Sequence, residues 1–138
     1  MMVDSARLDG ITAFFDAVAT TFGAGDLQRL RALYALPCIF VSDAGNHPIN
    51  TEVEFDAFFG SMRRRLAQDN FTHSVYANLS ASHLSAVLAI ASMHWTRYRG
   101  DGSVIELLGA IYTLHQRAGT WQIVSVIAHD AARTVRFT

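Results

Sequence analysis

The stretch MHWTRYRGDG, residues 93–102, alternates polar and apolar side chains and then turns. Met93, Trp95 and Arg97 interleave with His94, Thr96 and Tyr98, and Arg99-Gly100-Asp101-Gly102 supplies the glycines of a tight turn. A period of two is that of a strand, so the segment is expected to enter a hairpin. The same period extends in both directions. Residues 71–80, 84–98, 103–116 and 120–130 are expected to form four strands of an antiparallel meander. Their turns fall at SASH (80–83), RGDG (99–102) and RAGT (117–120). Turn geometry accounts for the tripeptide Arg99-Gly100-Asp101 without an adhesion role.

Upstream of Phe71 the spacing becomes helical. Ile11, Phe14, Phe15, Val18 and Phe22 form one stripe, and Asp26 caps a second helix, LQRLRALYAL, expected to end at Pro37. PCIFVSDAGNHPIN is expected to be a hairpin turning on Asp43 to Asn46. Thr51 and Glu54 have capping-box spacing and open a third helix, whose Phe55, Phe58, Phe59, Met62 and Leu66 share a face. The order of helix, helix, hairpin, helix and four-stranded sheet specifies an α+β class, in a single domain over residues 1–138.

Composition excludes several functions. The net charge is −1 with no basic stripe, so nucleic acid is not an expected partner. Arg63 to Arg65 is the only charge run, and a solvated helix face is its expected role. The chain contains no lysine, which rules out Schiff-base chemistry, pyridoxal phosphate attachment and a phosphate-loop lysine. Cys38 is the single cysteine and cannot form an intramolecular disulfide. There is no His-x-His or Glu-x-x-His spacing, so neither a metal nor any other cofactor is expected. Apolar runs fall far short of the roughly 20 residues of a membrane span. With no basic leader before an apolar segment, a cytoplasmic protein away from membranes is expected.

Strand parity assigns the faces. His73, Val75, Ala77 and Leu79 are the more apolar alternates of the first long strand and are expected to face the helices. Pairing Leu79 with Leu84 carries that inner face to Ser92, His94, Thr96 and Tyr98, then to Gly109, Ile111 and Thr113. The last strand contributes Trp121, Ile123, Ser125, Ile127 and His129. The opposite face then holds Met93, Trp95, Leu108, Ala110, Tyr112 and Val126, too apolar for open water. A homodimer through this outer face, centred on Met93, Trp95 and Tyr112, is the expected cover. Unbroken alternation is the premise, since one β-bulge exchanges the faces beyond it.

GAGDLQRLRALY (residues 23–34) after an aromatic first helix, with the terminal GTWQIVSVIAHD (119–130), resembles the nuclear transport factor 2-like superfamily. Within it the chain is most similar to the SnoaL-like branch, named for a polyketide cyclase. The resemblance runs from about Leu8 to Asp130. It implies a cystatin-like cone, a curved antiparallel sheet packed on three N-terminal helices around a pocket. Ketosteroid isomerase-like members carry a tyrosine where Val18 stands and a carboxylate base near Ser42 and Asp43. Limonene epoxide hydrolase-like members carry a carboxylate where Ile127 stands. Scytalone dehydratase-like members use two pocket histidines, and FTH and MHWTRY supply His73 and His94. That family's aspartate and tyrosine at the end of the first helix are Gly23 and Phe22 here.

Imidazole titrates near neutrality and serves as general acid or base. His73 and His94 are therefore the candidate acid/base pair, Tyr98 the donor and Asp43 an orienting carboxylate. Phe15, Phe22 and Phe59 from the helices, with Ser92, Thr113, Trp121, Ile127 and His129 from the sheet, are the candidate ligand contacts. The expected ligand is a small apolar carbonyl or aromatic compound. The expected chemistry is cofactor-free isomerisation, cyclisation or dehydration, and the alternative is a non-catalytic ligand-binding or dimerisation module.

Overall fold

The computed structural model describes the backbone of residues 5–137, with side chains from residue 10 onward. Three helices, α1 (Ser5–Ala24), α2 (Leu27–Ala32) and α3 (Glu52–Gln68), pack on a six-stranded sheet. Its strands are β1 (Tyr34–Ser42), β2 (Gly45–Ile49), β3 (Phe71–His83), β4 (Leu88–Arg99), β5 (Val104–Arg117) and β6 (Thr120–His129). They lie in the order β2-β1-β6-β5-β4-β3, antiparallel except where β1 runs parallel to β6. The expected α+β architecture is the observed one. No helix among the described residues is long and apolar enough to cross a membrane.

Local chemistry sets the helix starts. Asp26 accepts from the Arg29 amide at 3.1 Å, and Thr51 Oγ1 accepts from the Glu54 amide at 3.1 Å. Glu54 reaches back one residue beyond the usual capping box, to the Asn50 amide at 2.9 Å. The end of α2 differs from expectation, because Tyr34 to Leu36 are strand. The Ile123 amide donates to Leu33 O at 2.9 Å, and Gln122 Nε2 donates to Ala32 O at 3.3 Å. Pairing with β6 thus outweighs local helical spacing.

The first hairpin of the meander also turns later than expected. SASH belongs to β3, and the turn is Leu84 to Val87, where Ser85 Oγ accepts from the amides of Val87 and Leu88. Asn78 lies in the left-handed region at φ 60°, and the register shifts between Ala77 and Ser80. This bulge lets Ser80 to His83 continue along β4.

The sheet faces are the reverse of the expected ones over most of their length. Met93, Trp95, Ala110, Tyr112 and Val126 are buried beneath the helices, with Met93 only 2% exposed. His73, Val75, Leu107 and Ile127 point away from the core, with Leu107 59% exposed. The relative parity was right: His94 lies opposite Ala77, and Thr96 opposite Val75 and Leu107. What failed was the choice of face from β3 alone. β3 is an edge strand, and its inward Tyr76 is held by α1, donating to Asp16 Oδ1 at 2.6 Å. β6 starts with Trp121 and Ile123 inward as expected, but a bulge at Val124 then turns Val126 inward and Ile127 outward.

Beyond β6 the chain folds back over the outer face of β4 and β3. The Asp130 carboxylate accepts from the Ala132 amide at 2.9 Å. Ser92 Oγ donates to Val135 O, and the Phe137 amide donates to Ser80 Oγ at 2.8 Å. Ser92 is therefore buried, at 2% exposure, by this tail and not by the cone.

Candidate functional site

A cavity of about 100 Å³ opens between the helices and the concave face of the sheet. Phe22, Phe59 and Met62 from α1 and α3 form one wall. Trp95, Arg97, Leu108 and Tyr112 from the central strands form the other, with Tyr34 and Phe40 of β1 closing the side. The helical stripes and inward strand alternates that build the core also line this space. Aromatic contacts fix the walls: Tyr34 lies 5.3 Å from Phe59, and Phe40 lies 5.6 Å from it. Given about 30 Å³ per water, the cavity suits only a small compound.

The polar groups in this space are few. Trp95 Nε1 donates to the Tyr112 hydroxyl at 2.9 Å. Burial pushes the Tyr112 phenol up to about 12, against the lowering effect of the Trp95 hydrogen bond, and pushes Tyr34 well above its ordinary 10. Both are neutral donors at physiological pH. Arg97 is 13% exposed in its side chain and donates from Nη1 to Glu106 Oε1 at 2.8 Å. Burial works against its charge, and the Glu106 carboxylate partly restores it. Arg97 Nε and Ser74 Oγ are buried without a hydrogen-bond partner among the described residues.

The four residues expected to carry catalysis do not meet in this space. His73 is exposed on the outer face, stacked on Tyr98 at 5.1 Å, with Thr72 Oγ1 2.9 Å from its Nδ1. His94 is on the same outer face. Its Nδ1 lies 2.9 Å from Asn78 Nδ2, and its Nε2–H donates to Arg133 O at 2.8 Å. Asp43 is exposed in the β1–β2 turn. A histidine pair inside the cone is thus corrected to two outer-face histidines, one stacked on a tyrosine and one holding the tail.

Among the expected ligand contacts, Phe22 and Phe59 line the cavity. Phe15 is fully buried behind it, 4.9 Å from Tyr112. Trp121 is inward but sits against His83 at 5.7 Å, away from the cavity lining. Ser92, Thr113, Ile127 and His129 lie on the outer face, where Ser125 Oγ donates to Thr113 Oγ1 at 2.7 Å and His129 covers Gly109. Met93, Trp95 and Tyr112 are interior and cannot form a dimer surface. Ser74, Tyr34 and Arg97 were missed. The available signal was Arg97, a cation alternating with the bulkiest apolar residues of its strand. Among the described residues, no group of three or more His, Cys, Asp or Glu could hold a metal ion.

Comparison with known proteins agrees with this architecture. The Aln2 structure from a Streptomyces species superposes with a TM-score of 0.80 at 12% identity, over 96% of each chain. An NTF2-like protein with a cystatin-like fold from Novosphingobium aromaticivorans gives 0.73 at 15% identity, covering 95% of this chain and 92% of that one. A cystatin-like-fold protein of unknown function from Nostoc punctiforme gives 0.74 at 12% identity, over 94% of each. At such identities the likeness is one of fold. No curated protein matches the sequence. Residues 7–131, nearly the whole chain, match the family described as NTF2-like protein (DUF6841), and the chain belongs to that NTF2-like family.

Proposed function

We propose that the protein is a binding module for one small apolar or aromatic compound, held in the cone cavity without histidine acid/base chemistry. One observation carries this reading: the cavity lining contains no histidine, aspartate or glutamate, and its polar side chains, Tyr34, Ser74, Trp95, Arg97 and Tyr112, are hydrogen-bond donors. A general base must reach the proton it removes, and the candidate histidines lie on the other side of the sheet. Of the two functions expected from sequence, ligand binding is kept and the isomerase, cyclase or dehydratase is set aside. The test uses the fluorescence of Trp95, in a Trp121→Phe background, titrated with small phenols, aldehydes and acids. Proton NMR of the same mixtures monitors turnover. Saturable quenching without product is expected; product formation, or no saturable binding at millimolar ligand, overturns the reading.

The outer sheet face is proposed as a homodimer surface, with a different residue set from the one expected. Ile39, Val75, Leu107 and Ile127 expose apolar side chains there, and twofold symmetry lets a second copy cover them with the same patch.

A further inference from the structure

We infer that the compound bound in the cone is a short apolar monocarboxylate, its oxygens accepting hydrogen bonds from Arg97 Nε and Ser74 Oγ. This inference rests on the ligand-binding role proposed above. Ser74 and Arg97 are direct cross-strand partners on the inner face of β3 and β4, and both line the cavity. Neighbours in that relation hold their Cβ atoms about 5 Å apart, close enough to serve one anion together. Each presents a buried donor with no acceptor among the described residues. A native fold rarely leaves two such donors side by side, and a bound oxyanion would satisfy both.

Charge favours the same occupant. The Glu106 carboxylate is shared between Arg97 at 2.8 Å and Arg65 at 3.3 Å, so two guanidiniums divide one negative charge. A third cation lies close. Arg63 is not on a solvated face as its place in the RRR run suggested; its guanidinium carbon is 5.5 Å from the Phe22 ring centroid and 5.1 Å from that of Phe71. Arg97 lies 5.2 Å from the same Phe22 ring, and Arg63 Nη1 is also buried without a partner among the described residues. Arg97, at 13% side-chain exposure, therefore shares its only carboxylate partner among the described residues and keeps positive charge beside the cavity. Phe22, Phe59 and Leu108 offer only hydrocarbon to the rest of the ligand, and about 100 Å³ excludes a large body. One carboxylate on a short apolar group matches both ends.

The test compares butyrate and benzoate with their uncharged counterparts, butyramide and benzamide, by calorimetry on the intact chain. Wild type, Ser74→Ala and Arg97→Gln are measured in parallel. A charged acceptor is expected to bind about 10-fold or more tightly than its amide. Arg97→Gln should abolish that preference. Ser74→Ala should weaken the acids by about 3-fold or more without lowering the melting temperature of the ligand-free chain, because it removes an unpaired hydroxyl. It keeps the test decisive if Arg97→Gln fails to fold. Equal binding of acids and amides to wild type overturns the carboxylate inference and leaves the ligand-binding role standing. Absence of binding by all four compounds, where neutral aromatics still quench Trp95, overturns the inference alone; where nothing quenches Trp95, both fall.

Discussion

Met93 and His94 are adjacent in sequence, and opposite face assignments predict opposite consequences for truncating them. Met93 is 2% exposed in the hydrophobic core, whereas the half-buried His94 ring hydrogen-bonds Asn78 and the tail. Met93→Ala removes three heavy atoms from a filled site and leaves a cavity, for a loss of about 2–4 kcal/mol. His94→Ala removes two hydrogen bonds that water can partly replace, each worth about 0.5–1.5 kcal/mol, so a loss near 1–2 kcal/mol is expected. For a chain of this length roughly 3–5 °C of melting temperature accompanies each kcal/mol. The two variants should therefore separate clearly in a thermal melt and in urea denaturation at a common m-value. Hydrogen exchange adds a second readout. His94→Ala should release the tail, so the Phe137 amide, held by Ser80 Oγ at 2.8 Å, should lose protection; Met93→Ala should leave it protected until global unfolding. A larger loss from His94→Ala than from Met93→Ala would refute the assignment of Met93 to the core and His94 to the outer face.

Three further predictions follow from the same geometry. Leu107→Glu, at a position 59% exposed on the outer face, should convert a dimer to monomer in light scattering while changing monomer stability by less than about 0.5 kcal/mol; an unchanged mass would remove the dimer proposal. Tyr112 is held protonated up to about 12, against 10 when unfolded, so its contribution is fully present below pH 10 and is lost as the pH rises through 12. That loss is roughly 2–3 kcal/mol, read as denaturation midpoints falling across this window and weakened in Tyr112→Phe. A Cβ at Gly109 would stand 2.1 Å from His129 Cε1, so Gly109→Ala should cost about 1–3 kcal/mol by displacing the ring. Adding His129→Ala should recover most of that loss, and an additive double mutant would contradict the contact.

The element order was legible in the sequence because it depends on signals a few residues apart. Helical stripes such as Phe14, Phe15, Val18 and Phe22, caps at Asp26 and Thr51, and the glycines of RGDG act locally, and each appears where expected. Around His94 the strands share faces as expected, Ala77 with His94 and Val75 with Thr96, although the Leu79–Leu84 pairing from which this was reasoned does not form. Which face would meet the helices was not legible. Both faces of this sheet are apolar, so burial preference in one edge strand could not decide between them, and β3 misled where the summed bulk of Met93, Trp95, Leu108 and Tyr112 would have served. Docking of α1 on Tyr76 makes that choice, and bulges at Asn78 and Val124 reverse parity at places no local pattern marks. The same docking turned Arg97 and Ser74 into the cavity and His73 and His94 out of it. Sequence by itself determined the elements and their order. Tertiary structure alone decided which side of the sheet faces the cavity, because that depends on where distant segments pack.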